Sequence, residues 1–77
     1  MKQMITGAQI RAGRAFAKIT SAELADLACL GRVTVIKAEK ADDVPPINKA
    51  NLNAIKLALE AAGVVFQADG GVNFMPK

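Results

Sequence analysis

Arg32, Val33, Ile36 and Lys37 form the cluster in this 77-residue chain whose residue types and spacing invite a chemical reading. On a short helix these four share the outer face, while Val35 and Ala38, three apart, turn inward. The outer face then carries two cationic hydrogen-bond donors and two branched apolar groups. Such a face can recognise acceptor atoms and methyl groups, but it holds no nucleophile, acid or base. Elsewhere the chain offers catalysis little. It has no His, and its single cysteine, Cys29, has no His partner to activate it. No carboxylate pair sits on a cleft-forming segment, and the spacings of Gly13, Gly31, Gly63, Gly70 and Gly71 match no phosphate loop. The expectation is a non-enzyme with no cofactor, no metal site and no internal disulfide.

The elements that must position this face come just before it. Thr20 followed by Glu23 is a capping box, in which the hydroxyl accepts from the third helical amide and the carboxylate reaches back to the cap. A helix therefore starts at Ser21. Leu24, Leu27 and Ala28 give it an apolar stripe, and it stops near Cys29 because Gly31 follows. A turn of about three residues leads into a second helix from Arg32 to Lys40.

These residues carry a resemblance. Leu24 and Ala25, the small Ala28, the apolar Leu30 in the turn, Val35 inside the second helix and Glu39 at its end resemble the helix-turn-helix of the Cro and lambda-repressor-type regulators, the XRE family. ITGAQIRAGRAF before the motif and VPPINKANLNAIKLALEAAGVVF after it resemble a compact bacterial subgroup, so nearly the whole chain is covered. The resemblance implies a mainly α, compact four-helix lambda-repressor-like DNA-binding domain. It further implies an ion pair between Arg14 and Glu39 that fixes helix register, a structural role. Two positions depart from the family pattern. Cys29 stands where Gly is usual, so a left-handed backbone there is more costly. Gly31 caps the second helix without a side-chain acceptor.

Around the motif, Thr6 and Gln9 form another capping box, predicting a first helix from Gly7 to about Lys18 with Ile10, Gly13, Arg14 and Ala17 on one face. Asp42 to Pro46 reads as a loop, since paired prolines cannot continue a helix. Asn48 or Asn51 caps the next helix, whose Leu52, Ile55, Leu59 and Ala62 repeat at helical spacing before Gly63 ends it. Beyond it, Val64, Val65 and Phe66, the turn residues Asp69, Gly70 and Gly71, and Val72, Asn73 and Phe74 predict a short C-terminal β-hairpin over about 64–75. An isolated hairpin is marginal in water, so it packs on the helices or joins a strand of a second copy.

At 77 residues the chain is a single domain, 1–77, with the motif at 20–39. Hydrophobic residues make up 52% of it, yet there are only three Phe and no Trp or Tyr, so the core is built of Leu, Ile, Val and Ala. The net charge of +3 is uneven: residues 1–40 carry +4 and residues 41–77 carry −1, and the basic half holds the motif. MKQMITGAQIRAG has no unbroken apolar run, so neither a signal peptide nor a membrane span is expected, and a reducing cytoplasm is the expected compartment.

The expected function is that of a sequence-specific transcriptional regulator, a repressor, acting as a homodimer on pseudo-palindromic double-stranded DNA. Two recognition helices would then enter successive major grooves about 34 Å apart. Arg32 and Lys37 would donate to guanine O6 and N7, and Val33 and Ile36 would touch thymine methyls. Thr34 faces either the core or a phosphate. Ser21 at the start of the first motif helix, with the amide end of that helix, and Lys40 after the second are the expected phosphate contacts, with Lys18, Asn48 and Lys49 as outlying candidates. The rival is a protein-interaction module on the same fold, meeting its partner through Leu27 and Ile36 with Phe16 and Val33 beside them.

Overall fold

Each helix begins where a side chain can accept its first free amides. The structure is a computed structural model and describes residues 4–76. Helix α1 (Gly7–Ala17) starts behind the Thr6 capping box: the Gln9 N–H donates to Thr6 Oγ1 at 3.1 Å and the Thr6 N–H to Gln9 Oε1 at 3.0 Å. Helix α2 (Ser21–Ala28) repeats the device with Thr20 and Glu23, at 3.0 and 2.9 Å. Helix α3 (Arg32–Lys40) is preceded by Gly31, whose backbone is extended and which offers no side-chain cap. Helix α4 (Lys49–Ala61) is capped by Asn48, whose Oδ1 accepts from the Asn51 N–H at 2.7 Å; Asn51 itself lies inside the helix. Strands β1 (Val64–Phe66) and β2 (Val72–Phe74) form an antiparallel hairpin pairing Val64 with Phe74, Val65 with Asn73 and Phe66 with Val72.

The four helices surround one aliphatic core. Ile10 of α1, Leu24 of α2, Val35 of α3, and Ile55 and Leu59 of α4 are completely buried, with Val64 closing the end next to the hairpin. Small residues let the helices approach: Ala25, Ala28 and Ala38 are buried. At Gly7 a Cβ would collide with the carbonyls of Ala38 and Ala41, so α1 begins in direct contact with the end of α3. Gly63, at φ 105°, turns the chain from α4 into β1, and a Cβ there would meet the Met75 carbonyl at 2.8 Å.

One expectation is corrected. Leu27 does not join the apolar stripe of α2, because the buried arc runs through Leu24, Ala25 and Ala28 and Leu27 is 58% exposed. At 100° per residue, Ala25 and Ala28 flank one side of Leu24, whereas Leu27 lies on the other.

The hairpin docks on the helices. Gln9, almost fully buried, donates from Nε2 to the carbonyls of Gln67 and Gly71, both at 3.1 Å, and so holds the two arms of the turn with one amide. Farther along α1, Phe16 stacks on Phe74 with ring centroids 5.9 Å apart.

Candidate nucleic-acid interface

α2, the turn and α3 form a helix-turn-helix unit. Between the helices the chain reverses through Cys29, which adopts the left-handed conformation at φ 58° and ψ 41°, and its N–H donates back to Asp26 at 3.2 Å. Leu30, partly buried, plugs the turn into the core while its N–H donates to the Ala25 carbonyl at 2.9 Å. The turn is thus closed by backbone bonds and one apolar anchor.

α3 is fixed from its inner side and open on its outer side. Val35 and Ala38 are wholly buried. Outward, Arg32 and Lys37 are exposed, Val33 is 78% exposed and Ile36 is 38% exposed. Among the described residues, Arg32, Lys37 and Lys40 form no ion pair, so their charges face solvent. Thr34 is half-buried at the first turn, and its N–H donates to the Gly31 carbonyl at 3.1 Å.

Two arginines of α1 hold the C-terminal end of α3. The Arg14 guanidinium meets Glu39 Oε1 at 3.0 Å, and a second donor of Arg14 reaches the Ile19 carbonyl at 3.1 Å. The other carboxylate oxygen, Glu39 Oε2, accepts from the Ser21 hydroxyl at 3.1 Å, so the buried acid joins α1, α2 and α3 at one point. Arg11, one turn before Arg14, donates to the backbone carbonyls of Glu39 and Ala41 and pairs with Asp42 at 3.0 Å. A cation at the last turn of a helix satisfies carbonyls that have no helical partner and opposes the negative end of its dipole.

No family model, curated protein or solved structure matches this chain. Exposure, charge and helix geometry therefore carry the functional reading.

The structure brings Arg32, Val33, Ile36 and Lys37 onto one face and places Lys40 at the far end of the same helix. Ser21 stands at the start of α2, where the expected phosphate contact includes the amide end of the helix. Its hydroxyl proton goes to Glu39, which leaves the backbone N–H at the start of α2 as the group free for a phosphate. Lys18 is exposed at the left-handed C-cap of α1, while Asn48 and Lys49 are exposed at the start of α4. Sequence reasoning missed Arg11. Its spacing from Arg14 signals a shared face, but its targets are backbone carbonyls, which no residue type announces. No group of three or more His, Cys, Asp or Glu among the described residues could hold a metal ion. Nor is any helix among them long and apolar enough to cross a membrane.

Proposed function

We propose that this chain is a sequence-specific DNA-binding regulator of the lambda-repressor-like type, reading the major groove with α3 as a homodimer and acting as a repressor. The observation that carries the reading is a short helix anchored along its inner side by three residues, Val35, Ala38 and Glu39. It turns two unpaired cations and two exposed aliphatic side chains to solvent. Arg32 and Lys37 suit guanine O6 and N7, and Val33 and Ile36 suit thymine methyls. The α2 N-terminus at Ser21 and the Lys40 ammonium are the groups for flanking phosphates. The dimer is part of the proposal because one recognition helix of two turns contacts few base pairs, whereas two copies, each at most 27 Å long, offer two such helices to major-groove sites roughly 34 Å apart.

Arg32→Ala and Lys37→Ala test the face. Each is expected to weaken binding to DNA selected by the wild-type protein by roughly tenfold to a hundredfold, with melting temperature unchanged. Unaltered affinity in both variants would remove α3 as the reading element.

A second reading has its own observation. Leu27 is 58% exposed on α2, close in sequence to the apolar Val33 and Ile36 of the motif's outer surface, and such a surface suits a protein partner. Under this reading Leu27→Glu and Ile36→Glu abolish complex formation and Lys37→Ala does not.

A further inference from the structure

A cavity of about 320 Å³ opens between the chain ahead of α1, the middle of α4 and the hairpin turn. Among the described residues none from α2 or α3 lines it, so it lies apart from the outer face of α3. Gln9 fixes its frame from behind. The Oε1 of that side chain accepts from the Thr6 N–H, and its Nε2 donates to the Gln67 and Gly71 carbonyls, so the start of α1 and the turn are held in one geometry. Small-molecule sites are concavities of roughly 300–1,000 Å³, largely formed before the ligand arrives and lined by apolar surface with a few polar groups. This cavity stands at the small end of that range.

Its lining offers both kinds of surface. Met4 and Phe66, partly buried against the core, give an apolar wall. Lys56 and Glu60 of α4, one helical turn apart and both partly buried, bring one charge of each sign. Among the described residues neither forms an ion pair, with the other or with a third residue. A lysine four residues ahead of a glutamate is also the weaker order for a helical pair. Thr6 adds a hydroxyl whose oxygen accepts from the Gln9 N–H, which leaves its proton to donate. A charge withdrawn from part of its water and given no partner has the most to gain from a ligand of opposite sign.

We infer that this cavity binds a free α-amino acid with an apolar side chain. The ligand carboxylate accepts from the Lys56 ammonium and the Thr6 hydroxyl, the ligand ammonium donates to the Glu60 carboxylate, and the side chain lies against Met4 and Phe66. Residues four apart on a helix have β-carbons about 5–6 Å apart. That span suits two charges carried on one carbon, whereas the two ends of a peptide lie farther apart. A ligand with one charge alone leaves either Lys56 or Glu60 without a partner, so the site selects a zwitterion. Bound there, the amino acid joins α4 to the start of α1 and the hairpin turn and stabilises the fold by mass action. The site does not depend on the DNA reading, and binding is measured on the protein alone, so either can fail without the other.

The test is titration calorimetry of the full chain with L-leucine, L-methionine and L-phenylalanine, followed by amide NMR spectra of the labelled protein. At least one of the three should bind with a dissociation constant of roughly 0.1–1 mM. Amide shifts should concentrate in residues 4–9, 56–60 and 66–71. The N-acetyl derivative of the tightest binder lacks the ammonium and its amide lacks the carboxylate; each should bind at least about tenfold more weakly. Glu60→Gln should weaken the free amino acid by a similar factor while leaving the N-acetyl derivative unchanged, and Lys56→Met should do the same with respect to the amide. Circular dichroism checks that both variants fold, and the two derivatives decide the matter on the wild type should either variant unfold. No binding by any of the three up to about 10 mM, ten times the weakest expected constant, would overturn the proposal. So would equal affinity for the derivatives, shifts centred elsewhere, or unchanged affinity in the folded variants.

Discussion

Cys29 holds a left-handed backbone with a β-carbon in place, and so does Lys18 at the end of α1. That conformation disfavours L-residues by about 1–2 kcal/mol, whereas glycine adopts it freely at some entropic cost. Cys29→Gly is therefore expected to stabilise the fold by about 1 kcal/mol net, read as a rise of about 4–8 °C in Tm. An unchanged or lower Tm would show that the thiol contributes packing its exposure does not suggest. The Arg14–Glu39 pair responds differently. Arg14→Ala leaves a buried carboxylate with the Ser21 hydroxyl as its remaining side-chain donor and should cost about 2–4 kcal/mol, while Arg14→Leu combined with Glu39→Leu should cost much less. A denaturant-melt double-mutant cycle checks this, and additive losses would contradict the coupling.

At the scale of elements, the hairpin depends on Gln9. Gln9→Ala strips a buried donor from two carbonyls at once and should lower stability by about 2 kcal/mol, with hydrogen exchange accelerating first in residues 64–75. Equal acceleration throughout the chain would mean that the hairpin and helices open as one unit. Four helices and a hairpin were legible from local chemistry, because capping boxes, an Asn cap, a proline loop and the change of period after Gly63 each act within a few residues. What stayed hidden depends on distant backbone. Gln9 reads as a capping residue, but its amide also serves a turn nearly sixty residues away. Arg11 finds the last carbonyls of α3 only once α1 and α3 are docked through Gly7. Leu27 looks like core by its type, yet two small residues, Ala25 and Ala28, take the buried arc because α2 must lie close to its neighbours. The outer face of α3 was readable because Val35 and Ala38 define the inside of so short a helix; Ser21 was only half readable, since its hydroxyl is directed by Glu39, eighteen positions on.

For the molecule as a whole, DNA binding as proposed carries a prediction about charge. The basic half, residues 1–40, contains the helix-turn-helix, and the slightly acidic half supplies α4 and the hairpin. Under the proposed reading, the unpaired Arg32, Lys37 and Lys40 displace counterions when they meet phosphates and bases, so affinity should fall with salt. The measurement that bears most directly on the account is selection of genomic duplex fragments by the purified protein, with binding repeated at two salt concentrations. A recurrent motif of two half-sites about one helical turn apart, bound with salt-sensitive affinity, is the predicted result. Weak binding with no shared motif would contradict it and turn attention to the apolar surface of Leu27 and Ile36.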